Sequence, residues 1–467
     1  MLFSSISFLY YFLPAVLILY FCVPFQFKNF VLLLASLVFY FYGEPIYTLL
    51  MLAATLSSYI HGLLIDRFRG QVWGKVFLWS SVITSVAVLG LFKYSDFLIE
   101  NINAIANTSI AYLGLSLPIG ISFYTFQALS YTIDVYRGQA QVQKSFIRLA
   151  TYVALFPQLI AGPIVRYTTV EKELERRTHS WENAAYGINR FLIGLAKKVL
   201  LADTLGALAR TMHASQELSV AGYWLYAIGV TLQLYFDFSG YSDMAIGLGR
   251  IFGFHFPENF NYPLISKSVA EFWRRWHMSL GTWFRDYVYI PLGGNRVSVP
   301  RWFFNTLAVW FLTGFWHGAN WTFIFWGLYF AVFLILEKFW LNKFFAKLPK
   351  VFSHIYVVIA ILVSFVLFSA DGIGAAATDI GGLFGLAGVP LWTGETGYYL
   401  GSYAVVLAVA ILGATPIPKN ALLAARKNPT VDRVLNILEP VFHLAIILVV
   451  TAYFVDGSFS PFLYFRF

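Results

Sequence analysis

Charged residues are scarce in this chain of 467 residues, since Asp, Glu, Lys and Arg together make up only 12% of it. A soluble domain typically contains about 25% charged residues and about 45–50% apolar residues. Here the apolar share is 59%, and the mean hydropathy is +0.69. This composition excludes a soluble globular enzyme, which needs more polar surface, and it excludes disorder, which needs low hydrophobicity. We therefore predict a polytopic membrane protein.

Cysteine and several cofactor motifs are also missing. The single cysteine, Cys22, excludes a disulfide framework or a cysteine metal site within one chain. Neither a His-Glu-x-x-His pattern nor a Walker-type phosphate loop occurs, so we expect no metal, no bound cofactor and no ATP-driven transport. We attribute the formal net charge of +9 to basic cytoplasmic loops and expect no nucleic-acid partner.

Long apolar runs fill most of the chain. A membrane-spanning helix needs about 20 apolar residues, and the hydrophilic stretches are too short for a separate soluble domain. Residues 1–467 are therefore predicted to form one integral all-α domain, and the first run is expected to remain as a span rather than to be cleaved. About twelve candidate spans lie near 7–24, 29–43, 46–66, 76–92, 116–136, 186–204, 222–247, 302–316, 321–338, 353–369, 400–415 and 440–455.

Loop charge predicts how these spans are oriented, because cytoplasmic loops of membrane proteins collect Lys and Arg. Residues 67–75, 137–148, 339–352 and 416–439 are rich in basic side chains. Residues 370–399, by contrast, contain acids but no Lys or Arg. Placing the basic loops inside predicts that both termini are external.

One apolar segment, 149–163, is too short for an ordinary span and is bounded by arginines. Its residues Pro157, Gly162 and Pro163 would interrupt a helix. We predict a re-entrant or interfacial segment. Because irregular backbone at membrane depth must be buried in protein or line a cavity, this segment indicates an internal passage.

The central region 255–301 resembles neither a span nor an ordinary loop. If 271–287 form one helix, an aromatic face opposes basic residues, and two interpretations stay open: an interfacial anchor, or a wall that binds an anionic group such as the phosphates of coenzyme A. The residues near the aromatic face are Phe272, Trp276, Ser279 and Trp283. The basic residues are Arg274, Arg275, His277 and Arg285. The glycine pair 293–294 that follows predicts a tight turn.

Ionisable residues inside apolar runs are costly and often functional. The run 222–247 contains Asp237 and Asp243. Three interpretations stay open for these acids: helix packing, pairing with the arginines of 274–285, or lining a substrate path.

A histidine between two long apolar runs is the most unusual feature of the chain. This residue, His317, is flanked by Gly314 and Gly318, which we interpret as permitting close approach of another molecule. A neutral imidazole can take a proton from a hydroxyl near pH 7, so it suits general-base catalysis. A structural histidine with satisfied hydrogen bonds is the alternative. The second histidine in an unusual setting is His277.

Together these blocks resemble the membrane-bound O-acyltransferase (MBOAT) family, in its bacterial alginate O-acetyltransferase (AlgI-type) branch. The resemblance covers nearly the whole chain, and peptidoglycan O-acetyltransferases lie close to this branch. The similar blocks are 1–5, 117–124, 131–138, 156–164, 233–245, 271–296 and 314–321. The extra C-terminal span and the ending 462–467 favour this branch over the related teichoic acid D-alanyl transferase (DltB-type) branch.

The resemblance implies a ring of about 11–12 transmembrane helices, with re-entrant and interfacial helices around a thinned central tunnel. It also implies a catalytic centre at about 117–338, followed by C-terminal spans over 353–467. The essential histidine of the family maps to His317, and the usual second candidate maps to His277. The implied location is the bacterial cytoplasmic membrane, with membrane lipid around the ring.

The implied activity is transfer of an acetyl group from a cytoplasmic thioester, acetyl-CoA, through a separate SGNH-type partner to an extracytoplasmic polysaccharide such as alginate or peptidoglycan. The arginines would hold the donor phosphates, the acids would line the path, and an indole or amide would bind the oxyanion. These expected binding residues are Arg274, Arg275, Arg285, Asp237, Asp243, Trp316, Asn320 and Trp321. The alternatives are D-alanyl transfer to teichoic acid from a carrier protein, and a transporter or flippase that makes no bond.

Overall fold

A computed structural model describes residue 1 and residues 3–457, so the ending 462–467 lies outside the described residues. Helices and short connections make up the described chain, and no strand occurs in it. The prediction of an all-α protein is confirmed. The chain forms two compact units, each built from two stretches of sequence. They are Met1–Phe191 with Ser242–Pro257, and Leu192–Tyr241 with the described part of Glu258–Phe467.

The first unit contains helices that lead from the start of the chain into α9. Within it, α3 packs against α4 and α5, and α2 packs against α6. In chain order the elements are a π-helical turn Ser7–Phe12, α1 Leu13–Cys22, α2 Phe25–Phe41, α3 Pro45–Arg67, α4 Val72–Ala106, α5 Ile121–Arg137, α6 Phe146–Ala154, α7 Phe156–Leu159, α8 Tyr167–Glu175 and α9 Trp181–Ala196.

The second unit begins near the end of α9 and carries the candidate site. Within it, α14 packs closely against α15, which also contacts α12 and α17. The elements that follow α9 are π Lys197–Ala202, α10 Asp203–His213, α11 Val220–Ile251, 3₁₀ Pro263–Ile265, α12 Val269–Trp273, α13 Met278–Phe284, π Arg285–Tyr289, α14 Val299–His317, α15 Trp321–Leu336, π Glu337–Leu341, α16 Asn342–Phe345, α17 Lys350–Ser369, α18 Ile373–Leu383, α19 Gly394–Ser402, α20 Ala404–Gly413, α21 Ile417–Ala425 and α22 Pro429–Val455.

Five helical stretches of the described chain are long and apolar enough to cross a membrane. They are α3, α4, Trp321–Phe345, α17 and α22. Helices α19 and α20 are bent by 59° relative to each other, which fits either a broken sixth span or a re-entrant loop. The prediction of a multi-pass membrane protein is confirmed. Every predicted span overlaps a helix, whereas the number of about twelve crossings stays a prediction.

Local sequence explains where several helices begin and end. Gly138 ends α5 with a φ of +72°, a left-handed conformation that glycine adopts without strain. Pro45 occupies the first turn of α3, where no backbone N–H is needed. The side chain of Asn428 accepts hydrogen bonds from the first backbone N–H groups of α22 and so caps it.

The segment 149–163 is interrupted as the sequence predicts. Helix α6 ends at Ala154, Leu155 leaves the helical conformation with a ψ of 110°, and α7 adds a single turn. Every residue of 149–163 is buried in protein. Gln158 donates its side-chain N–H to the carbonyl of Tyr152 at 2.6 Å, a hydrogen bond made within the segment. Its depth in the membrane stays a prediction.

Candidate active site

The second unit contains a cleft of about 980 Å³, formed by α12, α13, α14 and the end of α15. Side chains of Arg274, Arg285 and Lys338 line part of it, and the indole rings of Trp273 and Trp310 line another part. Pockets for small molecules usually measure about 300–1,000 Å³ and combine apolar walls with a few polar groups. The cleft therefore suits a sizeable ligand that carries both anionic and apolar parts.

Residues 271–287 do not form the single helix that the sequence predicts. Helix α12 ends at Trp273, α13 begins at Met278, and His277 just before α13 has a φ of +45°. A left-handed backbone is uncommon for residues other than glycine, and such strained residues cluster at functional sites. The break also separates His277 from the arginines, because its side chain is buried whereas Arg274 is exposed.

The three arginines that were predicted to bind phosphate have different positions. Arg274 and Arg285 line the cleft, but Arg275 does not. Arg275 instead pairs with Glu271 at 2.9 Å. Arg285 pairs with Asp286 at 2.7 Å, yet its side chain stays 58% exposed and accessible to a ligand. The carboxylate of Asp286 raises the pKa of Arg285, which is therefore fully charged.

The π-helical segment after α15 adds two charged residues to the cleft wall. The buried carboxylate of Glu337 accepts hydrogen bonds from the backbone N–H groups of Val269 and Ala270, at 2.5 and 3.0 Å, and so caps α12. The ammonium of Lys338 lies 3.4 Å from the centroid of the Trp302 ring. Sequence reasoning missed Lys338, since a lysine near the end of an apolar run ordinarily marks a membrane boundary.

His277 is held by a buried asparagine. Oδ1 of Asn259 accepts hydrogen bonds from Nδ1 of His277 at 3.2 Å, from the backbone N–H of Ser279 at 3.2 Å and from its hydroxyl at 2.9 Å. Nδ1 thus carries the proton, and Nε2 presents a lone pair. Nε2 is buried and has no hydrogen-bond partner among the described residues. Burial lowers the pKa of His277, in a turn outside the spanning helices, to about 3, so its imidazole is neutral at pH 7.

His317 is the last residue of α14 and is 7% exposed. Its ring lies within 5.0 Å of the rings of Trp316 and Trp326, and 5.4 Å from that of Phe368, measured between centroids. The Trp316 ring also lies 6.1 Å from that of His277. One indole therefore contacts both histidines.

The cleft reaches the surroundings of His317 without including that residue in its lining. Thr313, one turn earlier on α14, does line it. The ring of Trp273, in the cleft wall, lies 5.5 Å from that of Trp326, which in turn lies 5.0 Å from His317. Two indole rings in contact thus connect the cleft wall to the imidazole.

The glycines beside His317 serve helix packing rather than the approach of another molecule, so that interpretation was wrong. A Cβ added at Gly314 would lie 2.2 Å from the carbonyl oxygen of Phe323 in α15. One added at Gly318 would lie 2.2 Å from the ring of the same residue. A Cβ added at Gly327 of α15 would likewise lie 2.2 Å from the carbonyl oxygen of Trp310. Helix α15 therefore occupies the space that the missing side chains leave.

The residues expected to bind an oxyanion are placed as follows. Asn320 caps α15, because its Oδ1 accepts hydrogen bonds from the backbone N–H and the hydroxyl of Thr322, at 3.0 and 3.2 Å. Trp321 is 47% exposed, and its ring is tilted against that of Phe325 with the centroids 6.1 Å apart. Trp316 is buried and contacts both histidines. The structure thus brings Trp316 to the site and gives Asn320 a structural contact.

The two acids of α11 form ion pairs, but not with the arginines of 274–285. Nζ of the buried Lys198 lies 2.8 Å from Oδ1 of Asp237 and 2.6 Å from Oδ1 of Asp203. In the first unit, Arg190 pairs with Asp243 at 2.7 Å. These contacts agree with a structural role for both acids, and their binding of substrate stays a prediction. Across residue 1 and residues 3–457, no group of three His, Cys, Asp or Glu side chains is arranged to hold a metal ion.

Comparison with known proteins identifies the family of the chain. The model of the MBOAT, membrane-bound O-acyltransferase family, matches residues 139–374, a range that contains the cleft and both histidines. The chain is similar to a probable alginate O-acetylase AlgI of Azotobacter vinelandii, at 37% identity over 100% of both chains. It is also similar to a peptidoglycan O-acetyltransferase of Helicobacter pylori, at 34% identity over 84% of this chain and 81% of the other.

A more distant similarity links the chain to a teichoic acid D-alanyltransferase of Bacillus subtilis, at 32% identity over 53% of this chain and 65% of the other. The resemblance that the sequence blocks suggested is confirmed by these matches. The alternative that the chain is a transporter or flippase that makes no bond is overturned by the same finding, because the matched family consists of acyltransferases. The chain is an O-acyltransferase and belongs to the membrane-bound O-acyltransferase family.

Proposed function

We propose that this enzyme transfers an acetyl group from acetyl-CoA, bound in the cleft, to a polysaccharide outside the membrane, with His317 as the general base. The observation that carries the proposal is the cleft itself. Its cationic side chains suit a donor with several phosphates. Its indole wall continues through Trp326 to the imidazole of His317.

The donor enters from the cytoplasm in this proposal. Lys338 and Asn342 line the cleft. Asn342 belongs to the basic stretch 339–352, which loop charge predicts to be cytoplasmic, and Lys338 directly precedes that stretch. The phosphates of coenzyme A would contact Arg274, Arg285 and Lys338. The thioester end would then point along the apolar wall toward α14.

The chemistry requires one base and one leaving group. The hydroxyl oxygen of the acceptor attacks the thioester carbonyl carbon while its proton passes to His317, and the carbon–sulfur bond then breaks to release the thiol. A well-placed general base typically accelerates such a step by about 10²–10⁴-fold. His277 is neutral and has an unpartnered Nε2, so it would accept a hydrogen bond from the incoming hydroxyl as the second histidine of the site.

The acceptor is inferred from the relatives. One is described as an alginate O-acetylase and another as a peptidoglycan O-acetyltransferase. We propose an envelope polysaccharide of this kind as the acceptor and an SGNH-type protein on the external side as the partner that completes the transfer. In this arrangement the protein lies in the bacterial cytoplasmic membrane with both termini external.

Acetyl transfer and donor choice can be tested in one assay. Purified protein in lipid vesicles is supplied with the glycan, the partner protein and either isotope-labelled acetyl-CoA or a D-alanyl carrier protein. We expect label in the glycan from acetyl-CoA, and none with the His317→Ala variant. His354→Ala serves as the matched control, since His354 contacts the carbonyl of Ser266 and does not line the cleft. Transfer from the carrier alone would instead support D-alanylation.

A further inference from the structure

Two buried indole N–H groups near His317 have no hydrogen-bond partner. Nε1 of Trp273 and Nε1 of Trp326 both have this property in the described part of the chain. A buried donor that is left unpaired loses its hydrogen bonds to water without compensation, so such groups are rare in native proteins. Two of them on neighbouring rings therefore indicate a ligand that accepts hydrogen bonds.

Other tryptophans of the same unit show the ordinary situation. Nε1 of Trp224 donates to the carbonyl of Leu383 at 2.9 Å. Nε1 of Trp302 donates to the hydroxyl of Tyr289 at 3.0 Å. These two indole donors are paired, whereas those of Trp273 and Trp326 are not within the described residues, and this difference near the imidazole needs a specific explanation.

The two rings lie between the donor cleft and the base. Trp273 lines the cleft, and its ring centroid lies 5.5 Å from that of Trp326. Trp326 is 1% exposed, and its ring packs edge-on against His317 at 5.0 Å. Phe330 contacts both indoles, at 4.8 and 5.2 Å. This packing holds the donors in fixed positions, which is what a preorganised oxyanion site requires.

We propose that the indole N–H groups of Trp273 and Trp326 donate hydrogen bonds to the carbonyl oxygen of the acyl thioester and stabilise the oxyanion that forms during transfer. The inference rests on the proposed function and replaces Trp316, Trp321 and Asn320 as the expected donors. An indole N–H only donates, so it favours an oxygen that gains negative charge. The buried surroundings strengthen this electrostatic effect.

The acceptor hydroxyl oxygen forms a bond to the carbonyl carbon as its proton moves to the imidazole of His317, and the carbonyl π electrons move onto oxygen. The two N–H groups bind that oxyanion. The carbonyl then re-forms, the carbon–sulfur bond breaks, and the departing sulfur takes the proton from the imidazolium.

The test replaces each indole with a ring that lacks the N–H group. In the full-length protein, Trp326→Phe and Trp273→Phe are each expected to lower kcat by about 10²–10³-fold, the usual effect of losing one oxyanion donor. The KM for acetyl-CoA should change little, because the contact strengthens only in the transition state. Trp224→Phe is the matched control, since it also removes a donor but lies outside the cleft lining and should keep the wild-type kcat.

A second substitution separates the loss of the donor from the loss of shape. Benzothienylalanine at position 326 keeps the two fused rings and lacks the N–H, so the kcat should fall as in Trp326→Phe while binding of an unreactive thioether analogue of acetyl-CoA stays at the wild-type level. A wild-type kcat in this variant and in Trp273→Phe would overturn the inference. The His317→Ala variant in the same assay tests the proposed function separately. If that variant is inactive, the proposed function stands even when the inference about the indoles fails. If it is fully active, the proposed function is refuted.

Discussion

Replacing Gly314 with alanine is expected to displace the candidate base, His317, although the substitution leaves that residue itself unchanged. The new Cβ would lie 2.2 Å from the carbonyl oxygen of Phe323, whereas real Cβ atoms essentially never approach another heavy atom closer than 3.0 Å. Both groups belong to helix backbones, so no side chain can turn aside. Helices α14 and α15 would have to separate locally by about 1 Å.

The expected effect on catalysis follows from the position of His317, three residues further along α14. A misplacement of about 1 Å at a catalytic group costs about 10²-fold in rate. Overpacking of this kind also lowers the free energy of unfolding by about 1–3 kcal/mol. The KM for acetyl-CoA should change much less than kcat, because Arg274 and Arg285 belong to other elements of the cleft wall.

Steady-state acetyl transfer and thermal unfolding in detergent measure both effects. Gly90→Ala is the matched control, since Gly90 lies inside helix α4 and has no atom within 4 Å of an added Cβ. That variant should keep the wild-type kcat and unfold no earlier, because alanine favours a helix over glycine by about 1 kcal/mol. A wild-type kcat and melting temperature for Gly314→Ala would refute the close packing and the reasoning about His317.

Three further outcomes follow from single contacts. Lys198→Met should lower the free energy of unfolding by about 3–5 kcal/mol, because it leaves buried carboxylates without their cation. Adding Asp237→Asn to this variant should recover part of that loss in a thermal melt. If the double variant recovers no stability, the pairing of Lys198 with Asp237 is contradicted. Arg274→Gln and Lys338→Gln should each raise the KM for acetyl-CoA about five- to tenfold with kcat unchanged. The increase in KM should be smaller at high salt, which screens charges. A fall in kcat without a change in KM would exclude phosphate binding by these two side chains. Asn259→Leu removes the acceptor that fixes the neighbouring imidazole and should lower kcat at constant donor KM, whereas Asn259→Asp keeps an acceptor and should retain more activity in the same kinetic assay.

Apolar patterning was sufficient to predict the long apolar helices, because a membrane helix requires a long run whose composition is visible in the sequence. It did not predict shorter helices such as α8, α10, α18 and α21. Stop signals such as Gly138 also act locally, through the left-handed conformation that glycine adopts. The unusual setting of His317 and of the arginines near 274–285 was visible for a similar reason, since ionisable groups beside apolar runs are costly; their role in catalysis stays a prediction.

Features that depend on contacts between distant residues could not be predicted. The break before α13 contains no proline or glycine, and its geometry depends on Asn259, 18 positions upstream of His277. The meaning of Gly314 was misjudged because a sequence does not show what fills the space beside a missing side chain, here Phe323. The partner of Asp237, Lys198, lies in a different element and carries no motif of its own.

Vectorial transfer across a sealed membrane tests the role of His317 most directly. The protein is reconstituted in vesicles in one orientation, with labelled acetyl-CoA on the side of the 339–352 loop and the glycan with its partner protein on the other side. We predict labelled glycan for the wild-type protein, and no label for His317→Ala even when that variant binds the thioether analogue normally. Label at the wild-type rate in the His317→Ala vesicles would contradict a base at this position.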